Sequence, residues 1–261
     1  MILSWPDAEH IYLSPHPDDV VLSCGGTIYE QAERGERVAV ITVFGASPPA
    51  GEPLTEFAAS LHSRWQASAA AAAFDDPPAA RRVEDAASFA RLYPSVELIH
   101  LPLTDCIYRH SPEGEPLYDS EESLFGRVHP NDPALDLLAE APPLPQGARL
   151  YAPLGAGGHV DHKVLRLAMV EWDAPARRVW YYEDYPYVAE PGVLATTLAL
   201  HPGLERVVNP LGEAALAAKV RAAAAHESQI STFWEDVAAL DAALRAYAAQ
   251  AGGERFWRAR G

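Results

Sequence analysis

Residues Val38 to Phe44 read VAVITVF, a continuous run of apolar and β-branched side chains. A strand with one wet face alternates polar and apolar residues, whereas a strand covered on both faces does not. The run therefore predicts an interior parallel strand, which needs helices above and below it. A second short run, Ile11 to Leu13, stops at Ser14-Pro15 and reads as another buried strand ending at a turn. Between the two, Asp18 to Gly35 has the pattern of a helix, with Gly25-Gly26 near its start. Strand, helix and strand within about 35 residues make a βαβ unit.

The same alternation continues along the chain. Residues 46 to 56, with Pro48, Pro49, Gly51 and Pro53, read as a loop. Leu61 to Phe74 reads as an alanine-rich helix, broken by Asp75 to Pro78 and followed by a helix from Arg81 to Leu92. Strands are expected at Val96 to Leu101, Arg149 to Ala152 and Val179 to Tyr182. Helices are expected at Asp132 to Glu140, His162 to Trp172, Glu213 to Ile230 and Trp234 to Gln250. The stretch from Thr104 to Asn131 lacks periodicity and reads as a long loop or lid. Pro186 to Asn209 has room for short strands. No internal repeat is visible. The expected fold is α/β, a three-layer Rossmann-like arrangement with a mostly parallel central sheet and helices on both faces. Residues 1–261 are read as one domain.

Charge and composition narrow the function classes. With 36 acidic against 20 basic residues the net charge is -16, which repels nucleic acid phosphates, so no nucleic acid partner is expected. The apolar fraction of 49% argues against disorder. Two cysteines, Cys24 and Cys106, are too few for a secreted disulfide framework, and Cys24 reads as a small buried side chain. The N-terminus lacks the basic and apolar regions of a signal peptide, and no apolar stretch reaches the roughly 20 residues of a membrane span. The default expectation is a cytoplasmic protein with no membrane partner. Its oligomeric state, a homo-oligomer included, is left open.

Two constellations carry chemistry. Pro15-His16-Pro17-Asp18-Asp19 follows the first strand, where open α/β sheets gather ligands. The prolines restrict the backbone around the histidine. A helix N-cap accounts for one of the two aspartates, but for neither the histidine nor the second aspartate. Gly157-Gly158-His159-Val160-Asp161-His162 follows a later strand and offers two histidines three residues apart. Two histidines and one carboxylate hold a metal ion and leave room for water. Imidazole and carboxylate suit Zn2+, and also admit Fe2+ or Mn2+. Gly25-Gly26 is not a G-x-G-x-x-G phosphate loop, which excludes a nucleotide-binding reading.

The sequence resembles the LmbE/PIG-L family of zinc-dependent de-N-acetylases. SPHPDDVVLSCGG (14 to 26) is similar to its first motif and HVDH (159 to 162) to its H-x-D-H motif. The helix with Lys219, His226, Ser228 and Gln229 is also similar to family members. The resemblance implies that His16, Asp19 and His162 ligate zinc and that Asp18 is the general base. It implies that His159 stabilises the oxyanion or protonates the leaving amine, and that Asp161 orients a histidine. The implied partner is a small N-acetylated sugar or glycoconjugate, such as an N-acetylglucosamine derivative.

Departures are informative. Val20 stands where many members have Glu, and Gly157 where some have Tyr. Aromatic assistance is therefore expected from Tyr182, Tyr185 or Tyr187. Arg81 and Glu84 resemble an R-x-x-E pattern in which the arginine contacts sugar; the competing reading is a surface i,i+3 ion pair. Asp105, near Tyr108 and Arg109, resembles a substrate-binding aspartate, with turn capping as its competitor. Tyr108 and Arg109 are read as able to grip hydroxyls and an anionic group. His226 is weighed as function against packing. A zinc amidohydrolase on a non-sugar N-acyl metabolite and a non-catalytic sugar-binding or metal-storage protein are the alternatives. Asp18 speaks against the second, since a binding protein needs no base.

Overall fold

The computed structural model describes residues 4–66, 71–139, 143–172 and 179–260. Among them one sheet forms from β1 (His10–Ser14), β2 (Val38–Thr42), β3 (Glu97–His100), β4 (Arg149–Pro153), β5 (Val179–Tyr182), β6 (Leu204–Asn209) and β7 (Glu254–Ala259). The order is β3-β2-β1-β4-β5-β7-β6. The β3-β2-β1-β4-β5 portion is parallel, and β7 runs antiparallel to both β5 and β6. The α/β fold with a mostly parallel sheet is as expected.

Helices are α1 (Asp19–Glu33), α2 (Glu56–Trp65), α3 (Pro77–Leu92), α4 (Glu121–Leu124), α5 (Pro133–Leu138), α6 (Val160–Trp172), α7 (Val193–Leu200), α8 (Glu213–Ala223), α9 (Glu227–Phe233) and α10 (Val237–Ala251). Side chains alternate across the pleat. Tyr12, Val40, Tyr151 and Tyr182 pack under α1, α3, α8 and α10. Ile11, Leu13, Ile41 and Leu150 pack under α5 and α6. Both faces are thus dry, which is why VAVITVF does not alternate.

Gly25-Gly26 has a packing cause. A Cβ at Gly26 would lie 2.5 Å from Leu211 Cδ1, and one at Gly25 would lie 3.1 Å from Lys219 Cγ. The pair lets α8 and its flank approach α1 closely. Glu254 fixes the contact: its carboxylate accepts from the Gly26 and Thr27 amides and from Lys219 Nζ at 3.0, 2.7 and 2.7 Å. Cys24 is buried in the core, as read.

Several boundaries differ from expectation. The helix expected at 61 to 74 is α2, which starts five residues earlier at Glu56, where Thr55 caps it by accepting from Ala58 N; residues 67–70 lie outside the described residues. The break expected at Asp75 to Pro78 is instead the start of α3. Asp76 caps it, and Pro77 and Pro78 occupy the first turn, where a missing N–H costs nothing. The single helix expected at 213 to 230 is two, separated at Ala224–His226. Pro186 to Asn209 holds a helix, α7, as well as a strand. Strand β7 was not expected, because ERFWRA is short and heavily charged. It is recruited by pairing with β5 and β6, a long-range effect. The 104–131 stretch carries short helical turns and forms one wall of the cleft described next.

Candidate metal centre and cleft

The order in which strands are laid down reverses between the parallel neighbours β1 and β4, and ligands gather outside the strand ends at such a switch point. Four loops meet there. The β1 loop brings His16, Asp18 and Asp19. The stretch after β3 brings Asp105 and Arg109. The β4 loop brings His159, Asp161 and His162. The β5 loop brings Asp184 and Tyr187.

Three donor atoms converge. Asp19 Oδ2 lies 3.2 Å from His16 Nδ1 and 3.3 Å from His162 Nε2. The same oxygen accepts from the His16 amide at 2.8 Å, which closes the His-Pro-Asp-Asp loop on itself. Nitrogens of His16, His159 and His162 lie within 4.8 Å of one another. Every one of these residues is buried.

The two histidines nearest Asp19 are each held from behind by a carboxylate. His16 Nε2 donates to Asp161 Oδ2 at 2.9 Å. His162 Nδ1 donates to Asp184 Oδ1 at 2.7 Å. Each bond fixes a tautomer and turns the other nitrogen's lone pair toward Asp19. His162 Nε2 is buried with no hydrogen-bond partner. Two lone pairs facing a carboxylate oxygen in a dry site repel one another unless a cation sits among them. The donors therefore fit a divalent cation. Proton affinities carry the same message. Burial opposes charge on His16, but Asp105, Asp161 and Asp19 outweigh it and hold the ring up at about 9. Burial likewise opposes charge on His162, and Asp19 and Asp184 raise it regardless.

Asp161 is fully buried and accepts also from the Cys106 amide at 3.0 Å and from Arg109. Burial would raise its carboxyl, but the Arg109 guanidinium and His16 hold it well below the usual range. Arg109 also pairs with Asp132 at 3.0 Å. It is therefore committed to two buried aspartates and is not available to grip a substrate anion, which corrects that expectation. Tyr108, its partner in that reading, meets His62 Nε2 through its hydroxyl.

Asp18 does not cap α1: its side chain makes no capping bond. Its backbone has φ 99°, a left-handed conformation that a non-glycine residue holds only where surrounding contacts enforce it. The carboxylate instead meets Arg81 Nη2 at 3.1 Å, and the same nitrogen donates to Pro17 O at 3.1 Å. Burial and the adjacent Asp19 push Asp18 up to about 8, against the pull of Arg81. Arg81 is buried, with Trp65 stacked 4.6 Å from its guanidinium. The surface Arg81–Glu84 pair does not form; Glu84 accepts from Ser228 N and Oγ instead.

A cleft of about 250 Å³ opens above these groups, lined by His16, Asp18, Asp19, Arg81, Asp105 and His159, with aromatic walls. Asp105 takes the turn-capping role and also lines the cleft. Its Oδ1 accepts from Ile107 N at 3.2 Å, a turn cap, while Oδ2 lies 3.5 Å from His16 Nε2. His159 Nδ1 accepts from the Asp161 amide at 3.2 Å, which leaves Nε2 as the protonated nitrogen. Burial and His16 push its pKa well below the ordinary value, so the ring is neutral.

Of the three tyrosines, Tyr182 donates its hydroxyl to Leu13 O, and Tyr185 packs on Trp234 and Tyr247. Only Tyr187 lines the cleft. A Cβ at Gly157 would lie 2.4 Å from Tyr187 Cγ, so the missing side chain at 157 is what admits this ring. His226 is buried behind the site, 3.9 Å from Asp85, and does not line the cleft. Sequence reasoning missed Asp184. The signal existed: it is a carboxylate just past the end of β5, where open α/β sheets gather ligands.

A buried His/Asp donor set at the switch point of a parallel sheet defines an α/β protein built around a metal centre. A profile of the PIG-L family, described as GlcNAc-PI de-N-acetylase, matches residues 11–172. The chain belongs to this family of de-N-acetylases, as its two motifs implied. Among named relatives, the 2'-N-acetylparomamine deacetylase of Niallia circulans is 30% identical over 186 residues, 68% of this chain and 66% of that protein. The enzyme of the same name from Streptomyces fradiae is 28% identical over 69% of this chain and 58% of its own length. The chain thus spans slightly under two thirds of these relatives. Among solved structures, the zinc-inhibited form of teicoplanin deacetylase Orf2 superposes with a TM-score of 0.75 and 26% identity, covering 95% of this chain and 97% of that one. Among the described residues no helix is long and apolar enough to cross a membrane.

Proposed function

We propose that this chain is a zinc-dependent hydrolase that removes an acetyl group from the amide nitrogen of an amino sugar or its glycoconjugate. The observation that carries the reading is the convergence of His16 Nδ1, His162 Nε2 and Asp19 Oδ2, with the Arg81-held carboxylate of Asp18 beside them. His16, Asp19 and His162 are the ligands of choice because each histidine has a carboxylate behind it; His159 has a backbone amide instead. Names of the relatives support an N-acetylated sugar within a larger molecule.

When bound, a zinc ion supplies Lewis-acid polarisation of the amide carbonyl and a lowered pKa for the attacking water. Asp18 accepts the proton of that water, and Arg81 fixes the carboxylate at Oδ1 and spends one of its donors on Pro17 O to hold the loop. The neutral His159 presents Nε2–H to the oxygen that gains charge as the water's oxygen bonds to the carbonyl carbon. The C–N bond then breaks as the amine nitrogen takes back the proton that Asp18 accepted, so the amine leaves and acetic acid remains, which ionises to acetate. Asp161 and Asp184 hold the histidines in register throughout. Arg81 and Asp105 are the wall groups that meet sugar hydroxyls.

The decisive experiment is metal analysis with a deacetylation screen over N-acetylglucosamine derivatives. Amine release that a chelator abolishes and zinc restores is the expected result. A protein that purifies without metal and hydrolyses no amide overturns the proposal.

A further inference from the structure

The short helix α9 starts without a cap of its own, since His226 at its N-cap position makes no side-chain capping bond. The first N–H groups of a helix still need acceptors. Glu84 supplies them from α3. Its Oε1 accepts from Ser228 N at 2.8 Å and its Oε2 from Ser228 Oγ at 2.5 Å. Glu84 stands three residues past Arg81, so the helix that holds Asp18 also holds α9. From α9, Gln229, Thr232 and Phe233 line the cleft, at the spacing of one helix face. Gln229 is 6% exposed, and no other carboxamide lines the cleft among the described residues. Its Nε2 donates to Ser228 Oγ at 3.1 Å.

The sense of that last bond is forced. The two ends of a carboxamide have the same shape, but the nitrogen only donates and the oxygen only accepts. Burial pushes the Glu84 carboxyl up, and the two Ser228 bonds pull it back. An ionised carboxylate only accepts, so the Ser228 hydroxyl gives Glu84 its one proton. Oγ then has lone pairs alone to offer, and only the NH2 end of Gln229 can meet them. Oε1 therefore faces away from Ser228. It takes no hydrogen bond among the described residues and is open to the cleft. The carboxylates around it are engaged: Asp19 with the histidines, Asp18 with Arg81, and Asp105 with a turn and His16. An uncharged acceptor in such company suits an uncharged donor.

We infer that Gln229 is a specificity residue whose Oε1 accepts from a free hydroxyl of the sugar, and that Glu84 aims it through Ser228. The inference rests on the deacetylase reading and deepens it: the sugar must keep one particular hydroxyl unsubstituted where it meets α9. Glu84 is a positioning residue, because it reaches the substrate only through Ser228 and Gln229.

The test uses methyl N-acetylglucosaminide and its monodeoxy analogues, each lacking one ring hydroxyl. Gln229→Leu should raise KM for the parent glycoside about fivefold, the size of one neutral hydrogen bond, with kcat within about twofold of wild type. One monodeoxy analogue should show the same loss in wild type and no further loss in Gln229→Leu. Glu84→Gln keeps an acceptor for Ser228 N but can turn an NH2 group toward Ser228 Oγ. The hydroxyl proton is then free for Gln229, whose amide turns over and presents a donor to the cleft. Glu84→Gln should therefore reproduce the loss for that same hydroxyl and add nothing when combined with Gln229→Leu. An unchanged KM in Gln229→Leu, or a KM raised equally for every analogue, overturns the inference. Additive losses in the double variant overturn the aiming by Glu84 and make it a prop for α9. If wild type hydrolyses none of the glycosides, the deacetylase reading falls. Calorimetry with the same glycosides then reads the Gln229 difference without turnover, and equal binding by wild type and Gln229→Leu overturns the inference as well.

Discussion

The two histidines that face Asp19 are held in unequal ways. Behind His16, Asp161 sits in a chain of buried charges: it takes His16 Nε2–H, the Cys106 amide and Arg109, and Arg109 reaches on to Asp132. Behind His162, Asp184 takes His162 Nδ1–H at 2.7 Å and the Ala156 amide at 2.9 Å, with no cation beyond among the described residues. Burial therefore pushes the Asp184 carboxyl up, whereas Arg109 holds Asp161 down. One half of the site is an anion locked by charge, the other an anion held by hydrogen bonds alone. Another buried histidine, His226, has no hydrogen-bond partner at either ring nitrogen among the described residues. The contrast predicts that stability is concentrated behind His16, that metal affinity depends on both halves, and that His226 reports on neither.

The largest effect should come from the group that belongs to neither half. Asp18→Asn removes the proton acceptor and should lower kcat about a thousandfold while metal content stays at the wild-type level. Steady-state kinetics with metal analysis decides it. A variant that also loses its metal would make Asp18 part of the ligand set, and the two-half description would fail.

Arg109→Met comes next. It leaves Asp161 and Asp132 buried without their cation, which should cost about 3–5 kcal/mol of folding stability by denaturant titration. A loss under about 1 kcal/mol, the range of exposed pairs, would show that the charge chain does not stabilise this half.

The two site loops were readable because their residue types are unusual where they stand. His, Asp and Asp between prolines at a strand end, and His-x-Asp-His after glycines, have few structural uses. Asp161 was assigned to a histidine before its partner could be named, and the structure places it on His16. The β4 and β5 strands, and the βαβ start, were legible from apolar runs. What stayed hidden depends on long-range pairing. Asp184 is one acid among 36 until β5 is laid beside β4. Arg109 looks free until Asp132 and Asp161, 23 and 52 residues away, close on it. Tyr187 is one of three candidates until Gly157 is seen beneath its ring.

His226, outside both halves, gives a pH test of its own. Burial pushes its imidazole down to about 4 from the ordinary 6.5. The unfolded chain therefore binds a proton that the folded chain refuses between those values. Its contribution is complete above pH 6.5 and is lost as pH falls toward 4, by about 3 kcal/mol at most. Denaturant midpoints at pH 7.5 and pH 4.5 should differ less in His226→Gln than in wild type. Equal pH sensitivity in both proteins would mean that His226 is not the neutral, unpartnered group described.

The smallest effect separates the two halves directly. Asp184→Asn keeps the shape of the side chain but not its acceptors. An amide oxygen turned to His162 Nδ1–H leaves the NH2 group facing the Ala156 N–H, donor against donor, so one of the two bonds is lost whichever way it turns. Without the carboxylate, His162 is less basic and less firmly aimed, and metal affinity should fall about 10- to 100-fold with kcat little changed once metal is saturating. Asp161→Asn should be worse, because it also strands Arg109 among neutral groups and Asp132. Competition titrations with a metal-chelating dye rank the two variants. If Asp184→Asn binds metal as tightly as wild type, or if it proves the more damaging of the pair, the asymmetry between the halves is wrong.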